Sequence, residues 1–222
     1  MGSYDIRDMT SAEAGLGPVP GRWTRTRSKA DICVERHGGT NVLVKDFRAK
    51  NPLVRFVYGR FALRREAQAY ARLSGVAGIP RFIGCSADQA LMLEHIPCRT
   101  LSAFKRGEVP ASVFMKLATI LSQIHSRGVA NGDLHRSNIL IGDSGEVYIV
   151  DFASAVLTGR PERPGIVFRF ARQLDSYAAA KIEARYLRRQ KPRPQGVFGL
   201  LYRAGRLLKR IPRKLSARHC SS

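Results

Sequence analysis

The sequence predicts an α+β protein of two lobes, in which a small β-rich lobe precedes a mainly helical one. Short apolar strands separated by turn residues dominate residues 22–96, and apolar side chains recur every three or four residues in two later segments. The chain has 222 residues, of which 44% are hydrophobic and 25% charged, a composition typical of a globular protein. We therefore expect one compact two-lobed unit with a sizeable core.

The small lobe is predicted as a three-stranded antiparallel meander, one helix and two further strands. Alternating apolar residues and intervening turns place these elements at 22–27, 31–36, 41–47, 61–73, 79–84 and 90–96. Gly38 and Gly39 supply the turn of the second hairpin. Pro97 after the last strand marks a connector to the second lobe.

The second lobe is predicted to hold two helices with a short hairpin between them. An apolar stripe covers 110–127 and ends at Gly128, and helical spacing returns over 170–187. Between them, two apolar strands at 138–141 and 146–150 flank a glycine-rich turn.

Two polar groups adjoin this hairpin. The segment N-G-D-L-H-R-S-N fills residues 131–138, and D-F-A follows the second strand at 151–153. The D-x-x-x-x-N spacing, the hairpin and the closing aspartate resemble the catalytic and metal-binding segments of the protein-kinase-like superfamily. The resemblance covers roughly residues 22–187 and implies a compact protein-kinase-like two-lobed fold.

The resemblance implies transfer of the γ-phosphate of ATP to a hydroxyl group with Mg²⁺ as cofactor. Asp133 would then orient the attacking hydroxyl and accept its proton. Asn138 and Asp151 would hold the metal, because carboxylate and amide oxygens are hard ligands that suit Mg²⁺.

The small lobe carries the other residues that the resemblance requires. Lys45 ends V-L-V-K on the third predicted strand, where the superfamily lysine contacts the nucleotide phosphates, and Glu66 on the next helix would pair with it. A lysine in an otherwise apolar strand needs such a counter-charge. Further nucleotide contacts are expected from Ser28 and Lys29 to phosphate, from the backbone around Glu94 and Ile96 to adenine, and from His135.

The chain departs from ordinary regulated protein kinases in several ways. No G-x-G-x-x-G lies between the first two strands, Asn131 and Ala153 replace the usual histidine and glycine, and no A-P-E follows. The motif G-D-L-H-x-x-N is more similar to that of small atypical bacterial members of the superfamily, namely lipopolysaccharide core kinases and RIO-like proteins, than to that of ordinary protein kinases. His135 either contacts the transferred phosphate or holds the loop, and Asp175 either braces the catalytic loop or faces solvent.

The charge is strongly positive and concentrated near the end of the sequence. Lys and Arg number 38 against 17 Asp and Glu, a formal net charge of +21, and residues 185–218 contain no acidic side chain. A basic amphipathic pattern over 197–214 indicates either peripheral contact with an anionic membrane or a final helix packed on the second lobe. Nucleic acid is not favoured, because no base-stacking pattern accompanies the charge.

These patterns divide the chain into a flexible leader (1–21), the small lobe (22–96), a reduced second lobe with the catalytic loop (97–190) and a basic tail (191–222). We expect a cytoplasmic location, with the inner face of the cytoplasmic membrane as an option. The leading acceptor is a sugar hydroxyl of a membrane glycolipid such as lipopolysaccharide core. Protein serine or threonine is the alternative, and a pseudokinase or RNA-associated binding module is a third.

Overall fold

The structure is a computed structural model that describes residues 30–37, 39–46, 60–85, 90–196, 198–200 and 202. Within these ranges the chain is α+β, as predicted. The leader, the predicted strand at 22–27, Ser28 and Lys29 lie outside the described residues, as does the tail from 203 onward.

The small lobe contains a four-stranded antiparallel sheet and one helix. In chain order the elements are β1 (Asp31–His37), β2 (Thr40–Asp46), α1 (Arg60–Arg72), β3 (Phe82–Cys85) and β4 (Ala90–Glu94). The strand order in the sheet is β1-β2-β4-β3. The predicted strand at 79–84 begins three residues late at Phe82, where Pro80, which lacks a backbone N–H, precedes it.

The alternation of side chains along β2 decides where its lysine lies. Val42 and Val44 are buried in a small cluster with Ala90 and Met92 on one face of the sheet. Leu43 packs against the main core from the other face. Since side chains alternate along a strand, Lys45 lies on the same face as Leu43.

The second lobe is built from two long helices and three short strand pairings. Its elements are β5 (Arg99–Thr100), α2 (Ala111–Ser126), β6 (Val129–Ala130), β7 (Ile139–Ile141), β8 (Val147–Ile149), β9 (Val156–Leu157) and α3 (Ile166–Tyr186), with 3₁₀ turns at Leu101–Ala103 and Arg136–Asn138. Strands β5, β7 and β8 form one antiparallel sheet, and β6 pairs with β9.

The predicted apolar stripe of α2 is confirmed. All six of its predicted core positions are buried: Val113, Phe114, Leu117, Ile120, Leu121 and Ile124. Gly128 follows the helix with a φ of 73°, a left-handed conformation that glycine adopts without strain. One continuous core joins this stripe to Leu63 and Tyr70 of α1, so the helices of both lobes pack around shared apolar side chains.

Candidate active site

Lys45 lies between two carboxylates contributed by other elements. Its Nζ donates to Glu66 Oε2 over 2.8 Å and Oε1 over 3.0 Å, and to Asp151 Oδ1 over 3.0 Å. Glu66 is buried on α1, while the Asp151 side chain, which follows β8, is 44% exposed. The three charges join the sheet, α1 and the end of the hairpin at one point.

Burial and charge act in opposite directions on these three groups. Burial acts to lower the pKa of Lys45, but attraction to Glu66 and Asp151 outweighs it and holds that pKa above its ordinary value. Burial acts to raise the pKa of Asp151, but attraction to Lys45 and the hydrogen bond from it outweigh burial and lower that pKa. For Glu66, burial dominates, and its pKa is raised despite the lysine.

The backbone at Asp151 has an uncommon conformation. Its φ is 66°, in the left-handed region that residues other than glycine rarely adopt. The Asp151 N–H donates to the hydroxyl of buried Tyr70 over 3.3 Å, and the Tyr70 and Phe152 rings meet edge to face at 5.1 Å. Backbone strain of this kind persists only where the surroundings impose it, and it concentrates at functional sites.

Buried Asn131 joins residues 131–138, the candidate catalytic loop, to the segment that begins at Asp151. Its Nδ2 donates to the Asp151 carbonyl over 3.1 Å, and its Oδ1 accepts the Asp133 N–H over 3.1 Å. Asn138 is buried beside them: its Nδ2 donates to the Asp133 carbonyl over 3.3 Å, and its carbonyl accepts the Val150 N–H over 3.0 Å. The loop and the end of β8 are therefore joined by the Asn131 side chain and by the backbone carbonyl of Asn138.

Asp175 of α3 braces the start of the same loop. It is 1% exposed, and its carboxylate accepts the backbone N–H groups of Asn131 over 2.7 Å and Gly132 over 2.9 Å. His125 Nε2 of α2 lies 3.1 Å from its Oδ2. Of the two sequence-based alternatives for Asp175, the structure thus favours bracing over a solvent-facing position.

Two ionisable side chains of the loop itself, Asp133 and His135, are exposed to solvent. Asp133 is 66% exposed and His135 is 46% exposed, with 3.8 Å between Asp133 Oδ2 and His135 Nε2. Asp133 is therefore accessible to a substrate, and its main chain is fixed from both sides by Asn131 and Asn138.

The available oxygen ligands fit a magnesium–phosphate complex. Among the described residues, no group of three or more histidine, cysteine or acidic side chains is placed to hold a metal ion. Mg²⁺ ordinarily takes one or two carboxylates and completes its shell with water and substrate phosphates. Asp151 would supply such a carboxylate, and Asn138, whose backbone carbonyl accepts the Val150 N–H, would supply an amide oxygen.

Ser28, Lys29 and Glu94 are further predicted nucleotide contacts. Ser28 and Lys29 lie outside the described residues. The Glu94 side chain accepts the Arg81 N–H over 3.1 Å, and the Glu94 N–H donates to the Arg81 carbonyl over 2.9 Å, so the adenine contact stays a prediction. Sequence reasoning treated Asn131 only as a departure and overlooked Tyr70 and His125. The signal available in the sequence was an asparagine two residues before Asp133, where histidine is usual.

Comparison with known structures identifies the architecture. Two structures of the Rio2 kinase from Chaetomium thermophilum, one of them an ADP/Mg²⁺-phosphoaspartate complex, match with a TM-score of 0.59 at 15% identity. The matches cover 84% of this chain and 61% and 63% of those chains. The chain has a protein-kinase-like fold.

Sequence comparison gives shorter matches. The chain is 29% identical over 114 residues to the probable SapB synthase of Streptomyces coelicolor, and 27% identical over 103 residues to a probable casein kinase I homologue of Encephalitozoon cuniculi. Each match covers 42% of this chain but only 12% and 32% of the respective relative. No protein-family model matches the chain.

Proposed function

We propose that the chain is an ATP-dependent phosphotransferase with an alcohol group as acceptor. The observation that carries the proposal is the position of Lys45, whose ammonium contacts both Glu66 and Asp151 beside an exposed aspartate loop. A largely buried cation shared by two acids from different elements is a costly arrangement, and perturbed charged groups of this kind are typical of functional sites.

In this proposal, ATP and Mg²⁺ bind between the lobes. Lys45 contacts the nucleotide phosphates, and Glu66 fixes its direction. Asp151 and Asn138 supply metal ligands, and the metal neutralises phosphate charge. Backbone groups at Glu94 and Ile96 hydrogen-bond the adenine, and Ser28, Lys29 and His135 contact phosphate. The Rio2 complex with ADP and Mg²⁺ supports this choice of cofactors.

Asp133 acts on the acceptor hydroxyl. Its exposed carboxylate accepts the hydroxyl hydrogen, orients the oxygen toward the γ-phosphate and takes the proton as transfer proceeds. The fixed main chain of the loop supports this role, because positioning supplies much of the rate enhancement in phosphoryl transfer.

The acceptor that we favour is a sugar hydroxyl of a membrane glycolipid such as lipopolysaccharide core. The G-D-L-H motif of the loop and the basic tail favour this acceptor. In this proposal the protein lies at the inner face of the cytoplasmic membrane, with peripheral contact through 197–214. No helix in the described part of the chain is long and apolar enough to cross a bilayer. A protein hydroxyl is the second candidate, favoured by the similarity to Rio2 kinase and to the casein kinase I homologue.

The test is Mg²⁺-dependent transfer from labelled ATP to dephosphorylated lipopolysaccharide core and, separately, to a generic protein acceptor. Asp151→Ala and Asp133→Ala should each abolish transfer, whereas Asp143→Ala, an exposed aspartate in the β7–β8 turn, should retain it. Transfer to protein alone would replace the glycolipid with the second candidate. Nucleotide binding without transfer to either acceptor would contradict the enzyme proposal in favour of a pseudokinase, and retained RNA binding in Asp133→Ala would indicate a binding module.

A further inference from the structure

The first turn of α3 presents two aliphatic side chains to solvent. Ile166 is 83% exposed and Val167 is 66% exposed, although the helix continues directly into buried Phe168. Adjacent exposed aliphatic side chains at a helix start are not needed for the core. Their exposure indicates a contact outside the described fold.

The described part of a helical segment packs on α3 beyond this first turn. Residues 196, 198–200 and 202 are helical, and the ring of Phe198 lies 5.5 Å from Phe170 and 5.8 Å from Tyr177. Ile166, Phe170 and Tyr177 are spaced at i, i+4 and i+11, so they share one face of α3. The aromatic contacts cover this face at Phe170 and Tyr177, while Ile166 remains open.

Leu200 lies near the same contact and is 67% exposed. It follows Phe198 by two residues, about 200° around a helix, and therefore faces away from α3. Ile166 and Val167 on α3 and Leu200 on the helical segment are therefore three exposed apolar side chains.

The charge around these side chains is positive. Exposed arginines occupy four positions between residues 158 and 173, namely Arg160, Arg163, Arg169 and Arg172. Glu162 is the one acidic residue in that span, all of which is described. We call Ile166, Val167 and these four arginines the α3 tip.

The α3 tip lies at the N-terminal end of α3, the helix that braces the candidate catalytic loop. Asp175 contacts the loop nine residues after Ile166, about 14 Å along the helix axis. The chain between Asp151 and the tip also runs beside the loop, since β9 pairs with β6 and the Thr158 N–H donates to the Gly128 carbonyl over 2.9 Å.

We propose that the α3 tip docks on an anionic lipid surface, with Ile166 and Val167 entering the headgroup region and the arginines contacting lipid phosphates. The arginines match a negative surface, and protruding aliphatic side chains enter a deformable bilayer interface without a preformed pocket. An acidic protein would need a cavity to receive Ile166. This inference deepens the proposed function, on which it rests only for the claim that the acceptor is in the membrane.

The test is adsorption of the full chain to vesicles of phosphatidylglycerol and phosphatidylcholine, measured without nucleotide by sedimentation. The double variant Ile166→Asp/Val167→Asp should bind about tenfold more weakly, because lost apolar insertion and added repulsion act together. Met115→Asp is the matched control, since Met115 on α2 is 65% exposed and its substitution should leave adsorption unchanged. Arg163→Gln/Arg169→Gln should weaken binding and reduce its salt dependence.

Undiminished adsorption of the double variant would overturn the inference, as would an equal loss in Met115→Asp. Binding to immobilised polyglutamate but not to vesicles would replace the lipid surface with an acidic protein. A soluble deacylated glycan acceptor separates this inference from the proposed function. Retained transfer to that glycan with unchanged vesicle binding would contradict docking alone, whereas lost transfer with normal docking would contradict the enzyme proposal alone.

Discussion

The side-chain amide of Asn131 donates a hydrogen bond to the backbone carbonyl of Asp151 over 3.1 Å, and through this contact the catalytic loop holds the segment that bears the proposed metal ligand. The same side chain accepts the Asp133 N–H. Asn131 is fully buried, so both bonds are shielded from competing water. One residue thus fixes the main chain at two of the proposed functional positions.

Asn131→Asp should separate these two contacts. The aspartate keeps an oxygen for the Asp133 N–H but turns the donor facing the Asp151 carbonyl into an acceptor. We expect kcat to fall by about 100-fold, the loss typical of a misplaced reacting group, and the Mg²⁺ concentration for half-maximal rate to rise. Turnover as a function of Mg²⁺ concentration measures both.

Asn131→Ala serves as the comparison, because it removes both bonds without adding a charge. A purely structural role would lower the amount of folded protein in both variants and leave the Mg²⁺ dependence of the folded fraction at its wild-type value. That result would contradict a positioning role for Asn131.

The contact between Lys45 and Glu66 predicts non-additive losses. Lys45→Met removes the charge proposed to meet phosphate and should lower kcat/KM on the order of 100-fold. Glu66→Gln removes the negative charge beside the lysine but keeps one oxygen that can accept from it, so it should cost less. Glu66 also has a backbone hydrogen bond with Phe152, but its proposed effect on turnover passes through Lys45, so the double variant should be no worse than Lys45→Met. Additive losses in this cycle would show that Glu66 has a separate role.

The sequence predicted the polar residues of the candidate site but not the groups that hold them. Lys45, Asp133, Asn138 and Asp151 stand at characteristic spacings within or beside predictable strands. The role of Asn131 depends on a contact across twenty residues with a backbone carbonyl, which no linear pattern encodes.

Element boundaries failed where local signals were weak. Helix α3 begins at Ile166 rather than at residue 170, because its first turn contains exposed aliphatic residues that do not follow the core periodicity. Strands β6 and β9 have two residues each, too few for an alternating pattern to be recognised.

The raised pKa of Glu66 predicts how stability varies with pH. A carboxyl with a pKa above its ordinary value of 4.5 binds its proton more tightly in the fold than in the unfolded chain. Its contribution to the free energy of unfolding is therefore fully present below that value and is lost as pH rises through the folded pKa. Relative to Glu66→Gln, the wild-type protein should lose stability as pH rises above 4.5.

Urea unfolding of both proteins across this pH range measures the difference. In the wild-type protein Lys45, whose pKa is raised, and Asp151, whose pKa is lowered, stay charged as pH rises above 4.5. A wild-type advantage that grows with pH would mean that the pKa of Glu66 is lowered and would contradict the prediction.

Asp175 should be the most costly of these side chains to remove, because three donors depend on it. Its carboxylate accepts the N–H groups of Asn131 and Gly132 and contacts His125, all from a buried position. Asp175→Ala would leave those groups unsatisfied and should lower the free energy of unfolding by about 2–5 kcal/mol. Glu183 on the same helix pairs with Arg189, which is largely exposed. Glu183→Ala should therefore lower the free energy of unfolding by less than about 1 kcal/mol in the same urea titration. Equal losses in the two variants would show that helix α3 tolerates the loss of its loop contact, and Asp175 would then not brace the catalytic loop.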